Sequence, residues 1–431
     1  MHKHKKVIKK LDKMYTATIN LPGSKSITIR NFILASLADG ESLLRFPGIC
    51  DDTFRIEDSL KKLGIQMIKE KDSIRIRGNN GEFIEQDVEL DIGESGTSAR
   101  LLMALSYLRK HKTKIDGHQS MRNRPNKYLL DALKEMGATV NSTNDGYLPA
   151  LIKGPHQYAN KVVIKGDKSS QYITGLLLIA PLLTKGLEII VNGELVSKPY
   201  IDITIREMEK FGVKVKNVNY KRFIINPQKY TPTHLTVEGD ASGASYFSAL
   251  ATLHGGTVVF NNLGTSTLQG DFGFFNICKK LGAEITENKD RIIITGPKDG
   301  NLARLDETIN MESMPDVAPT LMAMAPFIPG VTRITGLSTL RIKECDRISA
   351  PVQELRKFGV NIIEGDDYVE IKGLSFKEND EVIQVETYND HRMAMSLAVF
   401  GTKVGNLEIL NSNCVAKSYP NFWDDLSKIY D

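Results

Sequence analysis

SLKKLGIQMI, residues 59–68, is the stretch that decides the fold. Two lysines close an amphipathic helix, Gly64 follows, and alternating apolar residues continue as a strand. Late basic residues favour the negative end of a helix, and glycine takes the left-handed conformation that stops it. The same junction returns in DALKEMGATV around Gly137, EMEKFGVKV around Gly212, CKKLGAEI around Gly282 and QELRKFGVNI around Gly359. Successive glycines are 73, 75, 70 and 77 residues apart. Solenoid repeats run to roughly 20–50 residues, so this period is too long for one. It fits a compact α/β unit of two helices and several strands. A chain of 431 residues holds between five and six such units, so one copy is degenerate or divided. Six units, three in each of two similar domains, are expected. The small-residue stretch VEGDASGASYF, residues 237–247, reads as a linker between the third and fourth units.

Composition narrows the functional classes. Hydrophobic residues make up 41% of the chain and charged ones 25%, ordinary values for two globular domains. The net charge of +4 comes from 56 basic and 52 acidic residues, too slight an excess for a nucleic-acid-binding stripe. Cys50, Cys278, Cys345 and Cys414 are widely spaced, with no metal-ligand or disulfide pattern, which fits a reducing compartment. The basic start MHKHKKVIKKLDKMY lacks the apolar core of a signal peptide, and no run reaches the roughly 18 apolar residues of a membrane helix. A cytoplasmic protein with neither membrane nor nucleic-acid partners is expected.

The basic residues matter by position. LPGSKSITIR, residues 21–30, puts a Pro-Gly turn, a capping Ser24 or Ser26, and Lys25 at a helix start. Free N–H groups, hydroxyls and a lysine there suit a phosphate or carboxylate. The missing first glycine rules out a Walker A loop. GESGTSAR, residues 93–100, has the same character, with Gly96 open to close backbone approach and Arg100 one turn later. DGHQSMRNRP, residues 116–125, places Arg122 and Arg124 before a helix, either as a solvated face or as a bidentate anion clamp. GDKSSQYITGLLL sets Ser169, Ser170 and Gln171 at the front of an apolar helix, where capping accounts for one serine.

The second half adds acids. Glu312 and Asp316 precede an apolar helix, where carboxylates suit the positive end of the dipole. LRIKECDRISAPVQEL holds Arg341, Lys343, Glu344, Asp346 and Arg347 within seven residues. If that stretch is helical, Lys343 and Arg347 share a face and Glu344 points elsewhere. TYNDHRMAMSLAVF starts a helix at Asp390, His391 and Arg392, and CVAKSYPNFW supplies Lys417. No second His or Cys stands at ligand spacing to His391, so no metal is expected. Many fixed cations, hydroxyl-rich helix starts and a few carboxylates suit proton transfer on small polyanions. Neither a nucleophile elbow nor a dinucleotide fingerprint is present.

In order and spacing, LPGSKS, the RP of MRNRP, SSQY, VEGDAS, KECDR and NDHRMAM resemble the 5-enolpyruvylshikimate-3-phosphate synthase (3-phosphoshikimate 1-carboxyvinyltransferase) family. The resemblance runs from residue 21 nearly to the end. It implies an α/β enolpyruvyl transferase fold, an inside-out α/β barrel in which two similar domains each hold three βαβαββ units. One domain, residues 21–238, is inserted in the other, residues 1–20 and 239–431, with the active site in the cleft between. It implies transfer of the enolpyruvyl group of phosphoenolpyruvate to the 5-hydroxyl of shikimate 3-phosphate, with release of phosphate and no cofactor, by a monomer. Carried over by position, Lys25, Ser26, Arg30, Ser169, Ser170, Gln171, Ser197 and Tyr200 contact shikimate 3-phosphate, with Asp316 and Lys343 at its reacting hydroxyl. Lys25, Gly96, Arg124, Gln171, Arg347, Arg392 and Lys417 hold phosphoenolpyruvate. Glu344 protonates its methylene carbon, and Asp316, Glu344, Lys25 and His391 form the catalytic set. Gly96 further implies inhibition by glyphosate in competition with phosphoenolpyruvate.

Two positions depart from the family pattern: Glu94 and Thr339 stand where asparagine is usual. The sister enzyme acting on a UDP-amino sugar uses a cysteine proton donor, and DGHQSMRNRP contains none. A non-catalytic anion-binding protein on the same fold has no need of Lys25, Asp316, Glu344 and His391 together.

Overall fold

The computed structural model describes residues 4–376 and 381–430. The chain divides into two compact units, Gly23–Val237 and Met1–Pro22 with Glu238–Asp431.

The continuous unit contains three four-stranded sheets of one design. In the second repeat, Val88–Asp91 lies parallel to Thr113–Asp116, which pairs antiparallel with Tyr147–Lys153 and, beyond it, Thr139–Thr143. Helices Gly96–Leu105 and Lys127–Glu135 fill the connections, giving the order βαβαββ. The third repeat runs the same way from Lys161–Lys165 to Arg222–Ile225. Its first strand buries Val162 and Ile164 and exposes Lys161, Val163 and Lys165, the alternation of a sheet covered on one face.

The first repeat differs in one respect. Its sheet begins with His234–Thr236, drawn from the far end of the unit and paired in parallel with Leu43–Arg45. The strand that precedes helix Lys25–Leu37 in sequence, Thr16–Ile19, instead pairs in parallel with Thr257–Phe260. The two places where the chain passes between units therefore exchange first strands.

The discontinuous unit repeats the design around Thr257–Phe260 and Val331–Thr335. Its last sheet has three strands, with Lys5–Ile8 from the chain start closing it antiparallel to Leu407–Leu410. The sixth repeat is thus divided between the two ends of the chain, which is why only five helix–glycine–strand junctions occur. At those five the glycines have φ of 95°, 96°, 83°, 103° and 76°, a region that costs other residues strain.

Each repeat has two unlike helices. The second is amphipathic, as in Asp51–Lys62 and Pro199–Lys210, with exposed basic ends. The first is apolar almost all round: every residue of Ala241–His254 is buried, and all but Lys403 of His391–Val404. Helices inside and sheets outside give the inside-out arrangement, although no sheet closes into a continuous barrel. A helix buried along its length presents only its ends for chemistry, and the motifs sit at the N-terminal ends.

VEGDASGASYF is largely not a linker. Asp240 caps helix Ala241–His254 by accepting from the Gly243 N–H at 3.0 Å, so the passage between units is confined to residues 237–239. Small residues mark close helix packing here rather than a flexible joint.

Candidate active site

In the continuous unit, the starts of three buried helices assemble the first cluster. Helix Lys25–Leu37 carries no acid in its first turn to neutralise its positive end. Lys25 Nζ meets Asp52 Oδ2 at 2.9 Å. Neither Ser24 nor Ser26 caps this helix through its side chain; the Ser24 carbonyl instead accepts from the Thr28 N–H and hydroxyl. Arg30 is sealed between this helix and Pro199–Lys210. Its Nε donates to Thr204 Oγ1 at 2.8 Å, Nη1 to the Ser26 carbonyl at 2.8 Å and Nη2 to the Tyr200 carbonyl at 3.3 Å. Burial lowers its pKa to about 10 against the opposing pull of Tyr200 and Glu207, so it stays charged at neutral pH.

Gly96 opens the second helix. A β-carbon there would lie 2.4 Å from Arg100 Nη1 and 2.7 Å from Arg124 Nη1, so two guanidinium ends converge on the bare α-carbon. Arg100 is aimed by Asn126 Oδ1 at 2.8 Å and Gln171 Oε1 at 3.2 Å, while Gln171 Nε2 donates to Thr97 Oγ1 at 3.1 Å. Ser169 caps the third helix, its hydroxyl accepting from the Gln171 N–H at 3.2 Å, and Ser170 is buried beside it. Ser197, at φ 54°, lies just before Tyr200 and accepts that residue's N–H. The two arginines of MRNRP part company. Arg122 is exposed and grips Asp116 through Nε at 2.9 Å and Nη2 at 2.6 Å, whereas Arg124 is buried. Glu94 accepts from Ser120 Oγ at 3.1 Å, and His118 Nδ1 lies 3.8 Å from it.

The second cluster lies in the discontinuous unit and is bound by ion pairs. Arg347 is at its centre. Its Nε and Nη2 reach Asp390 at 2.7 and 3.1 Å, Nη1 reaches Asp316 at 3.0 Å, and Nη2 reaches Glu344 at 2.7 Å. Arg392 Nη2 holds the other Asp316 oxygen at 2.8 Å, and Lys417 Nζ the other Glu344 oxygen at 3.1 Å. Burial works against the charge of Arg347, but Asp390, Glu344 and Asp316 outweigh it and raise its pKa above the usual range. The helical reading of LRIKECDR fails: residues 343–348 form no helix, and the next one starts at Ser349. Glu344 consequently meets Arg347 instead of pointing elsewhere, and the half-buried Lys343 is its immediate neighbour. Asp390 caps helix His391–Val404, accepting from the Arg392 N–H at 2.9 Å. His391 is buried, with Nδ1 3.6 Å from Asp390 Oδ1. Glu312 is exposed.

Arg100, singled out in GESGTSAR, does join Arg124 at Gly96. Sequence motifs missed several other members: Asp52 behind Lys25, and Ser242, Tyr246 and Asp271 around Arg392. Tyr246 Oη and Ser242 Oγ each stand 3.5 Å from Arg392. Burial, with the nearby Asp316 charge, raises the Asp271 carboxyl to about 7, while Arg392 pulls the other way. The signal for Ser242 and Tyr246 lay in the stretch read as a linker.

No group of His, Cys, Asp and Glu fit to hold a metal occurs among the described residues, and no helix is long and apolar enough to cross a membrane. One cluster thus gathers cations and hydroxyls, and the other carboxylates held by cations. The family model for EPSP synthase (3-phosphoshikimate 1-carboxyvinyltransferase) covers residues 10–426. The chain belongs to that family. It is 39% identical over 421 residues to the 3-phosphoshikimate 1-carboxyvinyltransferase of Cronobacter sakazakii, covering 96% of each. Against the same enzyme of Pasteurella multocida the identity is 37%, over 95% of this chain and 94% of the relative. Among solved structures it resembles the EPSP synthase of Acinetobacter baumannii, with a TM-score of 0.80, 25% identity, and coverage of 99% and 98%. The enolpyruvyl transferase NikO of Streptomyces tendae shares the fold at 14% identity and a TM-score of 0.76, covering 98% of this chain and 96% of that one. Like the rest of its family, the chain is a transferase that moves the enolpyruvyl group of phosphoenolpyruvate to shikimate 3-phosphate in aromatic amino-acid biosynthesis.

Proposed function

We propose that the two clusters divide the work of this transfer. Ser26, Arg30, Ser169, Ser170, Ser197 and Tyr200 receive shikimate 3-phosphate, with Lys25 and Gln171 shared by both substrates. Phosphoenolpyruvate is taken by Lys25, Gly96, Arg124 and Gln171 of the first cluster and Arg347, Arg392 and Lys417 of the second. Asp316 and Lys343 hold the reacting 5-hydroxyl, which attacks C2 as C3 gains a proton from Glu344. The tetrahedral adduct then expels phosphate and returns the proton. His391 acts through Asp390, against which it lies, and so through Arg347. The protein works as a monomer in the cytoplasm without a cofactor.

One observation carries the acid assignment: Glu344 is held by Lys417 at 3.1 Å and Arg347 at 2.7 Å. An anion that takes Lys417 removes one cation from Glu344 and places a negative charge beside it. Both changes raise the proton affinity of a carboxyl, so substrate binding itself turns Glu344 into an acid. Asp316 shares two guanidinium groups, Arg347 and Arg392, with the substrate, and so remains the anion that draws the hydroxyl proton.

Transfer run in heavy water tests the division. Deuterium entering C3 of phosphoenolpyruvate should fall roughly 100-fold or more in Glu344→Gln, the usual scale of a lost general acid. Incorporation within threefold of wild type would remove Glu344 from that role.

A further inference from the structure

The carboxyl of Asp271 has no part in the roles assigned above, yet it touches the same machinery. It sits in the turn Gly270–Gly273, which packs against helix Ala241–His254 and the turn Pro315–Val317 that carries Asp316. Asp271 is buried, with Oδ2 accepting the Ser242 hydroxyl proton. Its Oδ1 is also buried and has no hydrogen-bond partner. Because a hydroxyl has a single proton, Ser242 Oγ meets Arg392 Nη2, 3.5 Å away, as an acceptor. Arg392 Nη2 lies 2.8 Å from Asp316 Oδ2. Asp271, Ser242, Arg392 and Asp316 thus form one polar chain.

The charged groups that act on Asp271 are few. Asp316 from the neighbouring turn and Asp240 from the cap of helix Ala241–His254 oppose its ionisation, and Arg392 favours it. Helix Phe274–Lys280 directs Lys279 and Lys280 to Glu287 and Glu307 instead. An orphaned oxygen in a sealed site is expensive for a carboxylate and cheap for a carboxylic acid.

We propose that Asp271 is a positioning residue whose protonation state sets how Arg392 is shared between Asp316 and the phosphoenolpyruvate anion. This rests on the assignment of Arg392 to phosphoenolpyruvate. As a neutral acid, Asp271 fixes Ser242 and adds no negative charge beside Arg392 to compete with the substrate. As an anion, it adds a second negative charge beside Arg392 and repels the substrate. The proton leaves to water, and no bond other than O–H breaks.

The KM for phosphoenolpyruvate should therefore rise with pH through neutrality, by at most about tenfold per pH unit for one proton, while kcat changes less. Asp271→Asn keeps an acceptor for Ser242 and cannot ionise, so its KM should not climb over that interval. Asp271→Leu removes the acceptor and should raise KM at every pH. Carbon-13 labelling of aspartate carboxyls gives a readout without turnover. The signal of Asp271, identified by its loss in Asp271→Asn or Asp271→Glu, whichever folds, should titrate near neutrality. A midpoint in the ordinary carboxylate range overturns the proposal, as does a wild-type slope of KM in Asp271→Asn or a flat KM in wild type. Arg392→Lys with an unchanged KM at acid pH would instead sink the assignment of Arg392.

Discussion

Arg347 and Asp390 form a fully sealed pair, joined by two hydrogen bonds of 2.7 and 3.1 Å with side-chain exposures of 2% and 0%. Such a pair adds little net stability, but removing one partner strands a buried charge at a cost of about 3–5 kcal/mol. Asp390→Ala should fall at the low end of that range, because Glu344 and Asp316 still hold Arg347. Chemical denaturation measures it; a loss below about 1 kcal/mol, the level of an ordinary surface pair, would show that the pair is not structural.

Arg124 and Lys417 are both buried, Lys417 beside Glu344 at 3.1 Å. Replacing either with alanine leaves a bound anion unpaired, at roughly 3–5 kcal/mol, or about two to four decades in kcat/KM. Lys417→Ala also takes one cation from Glu344, which Arg347 still holds, and should lower kcat more than Arg124→Ala does. Steady-state kinetics with each variant checks both statements, and activity within threefold of wild type would remove that residue from the phosphoenolpyruvate site.

Gly96→Ala should fold normally, because its methyl group meets the flexible ends of Arg100 and Arg124 at 2.4 and 2.7 Å rather than backbone. Those two ends must shift. Phosphoenolpyruvate affinity should fall several-fold, and inhibition by the longer glyphosate should weaken by roughly tenfold or more, the scale of one misplaced methyl group. Titration of both proteins with glyphosate at fixed phosphoenolpyruvate reads this out. Equal inhibition of the two would mean that the space above Gly96 does not select ligands.

Acid should destabilise the discontinuous unit through His254. Burial, with help from Lys403, lowers its pKa to about 3, and the ring lies 2.9 Å from Thr402 Oγ1. The unfolded chain binds the proton near pH 6.5. A depressed folded pKa means the contribution is complete above about pH 6.5 and is lost as pH falls toward 3. The slope is at most about 1.4 kcal/mol per pH unit. Denaturation at about pH 7 and about pH 5 should show less loss in His254→Gln than in wild type; parallel losses would assign the acid sensitivity elsewhere.

The repeat was legible because helix termination is local chemistry: lysines, then a glycine, at Gly64, Gly137, Gly212, Gly282 and Gly359. Motif residues at helix starts were legible for the same reason. Pairing across the chain was not. Nothing near Thr16–Ile19 says that it joins Thr257–Phe260 rather than its sequence neighbours. Arg122 and Arg124 look alike in sequence, and only the fold sends one to Asp116 and buries the other. Asp390 reads as a helix-start acid and no motif marks Asp52, yet each holds a cation of a cluster through contacts made at long range. The stretch 237–247 misled because small residues serve both flexible joints and close helix packing.

Phosphate release from phosphoenolpyruvate, measured with and without shikimate 3-phosphate, bears most directly on the two-cluster mechanism. Wild type should release phosphate only when both substrates are present, because the attacking hydroxyl belongs to shikimate 3-phosphate, and Glu344→Gln and Lys417→Ala should lose roughly 100-fold or more of that rate. Release at the same rate without shikimate 3-phosphate, or none with both substrates, would contradict it.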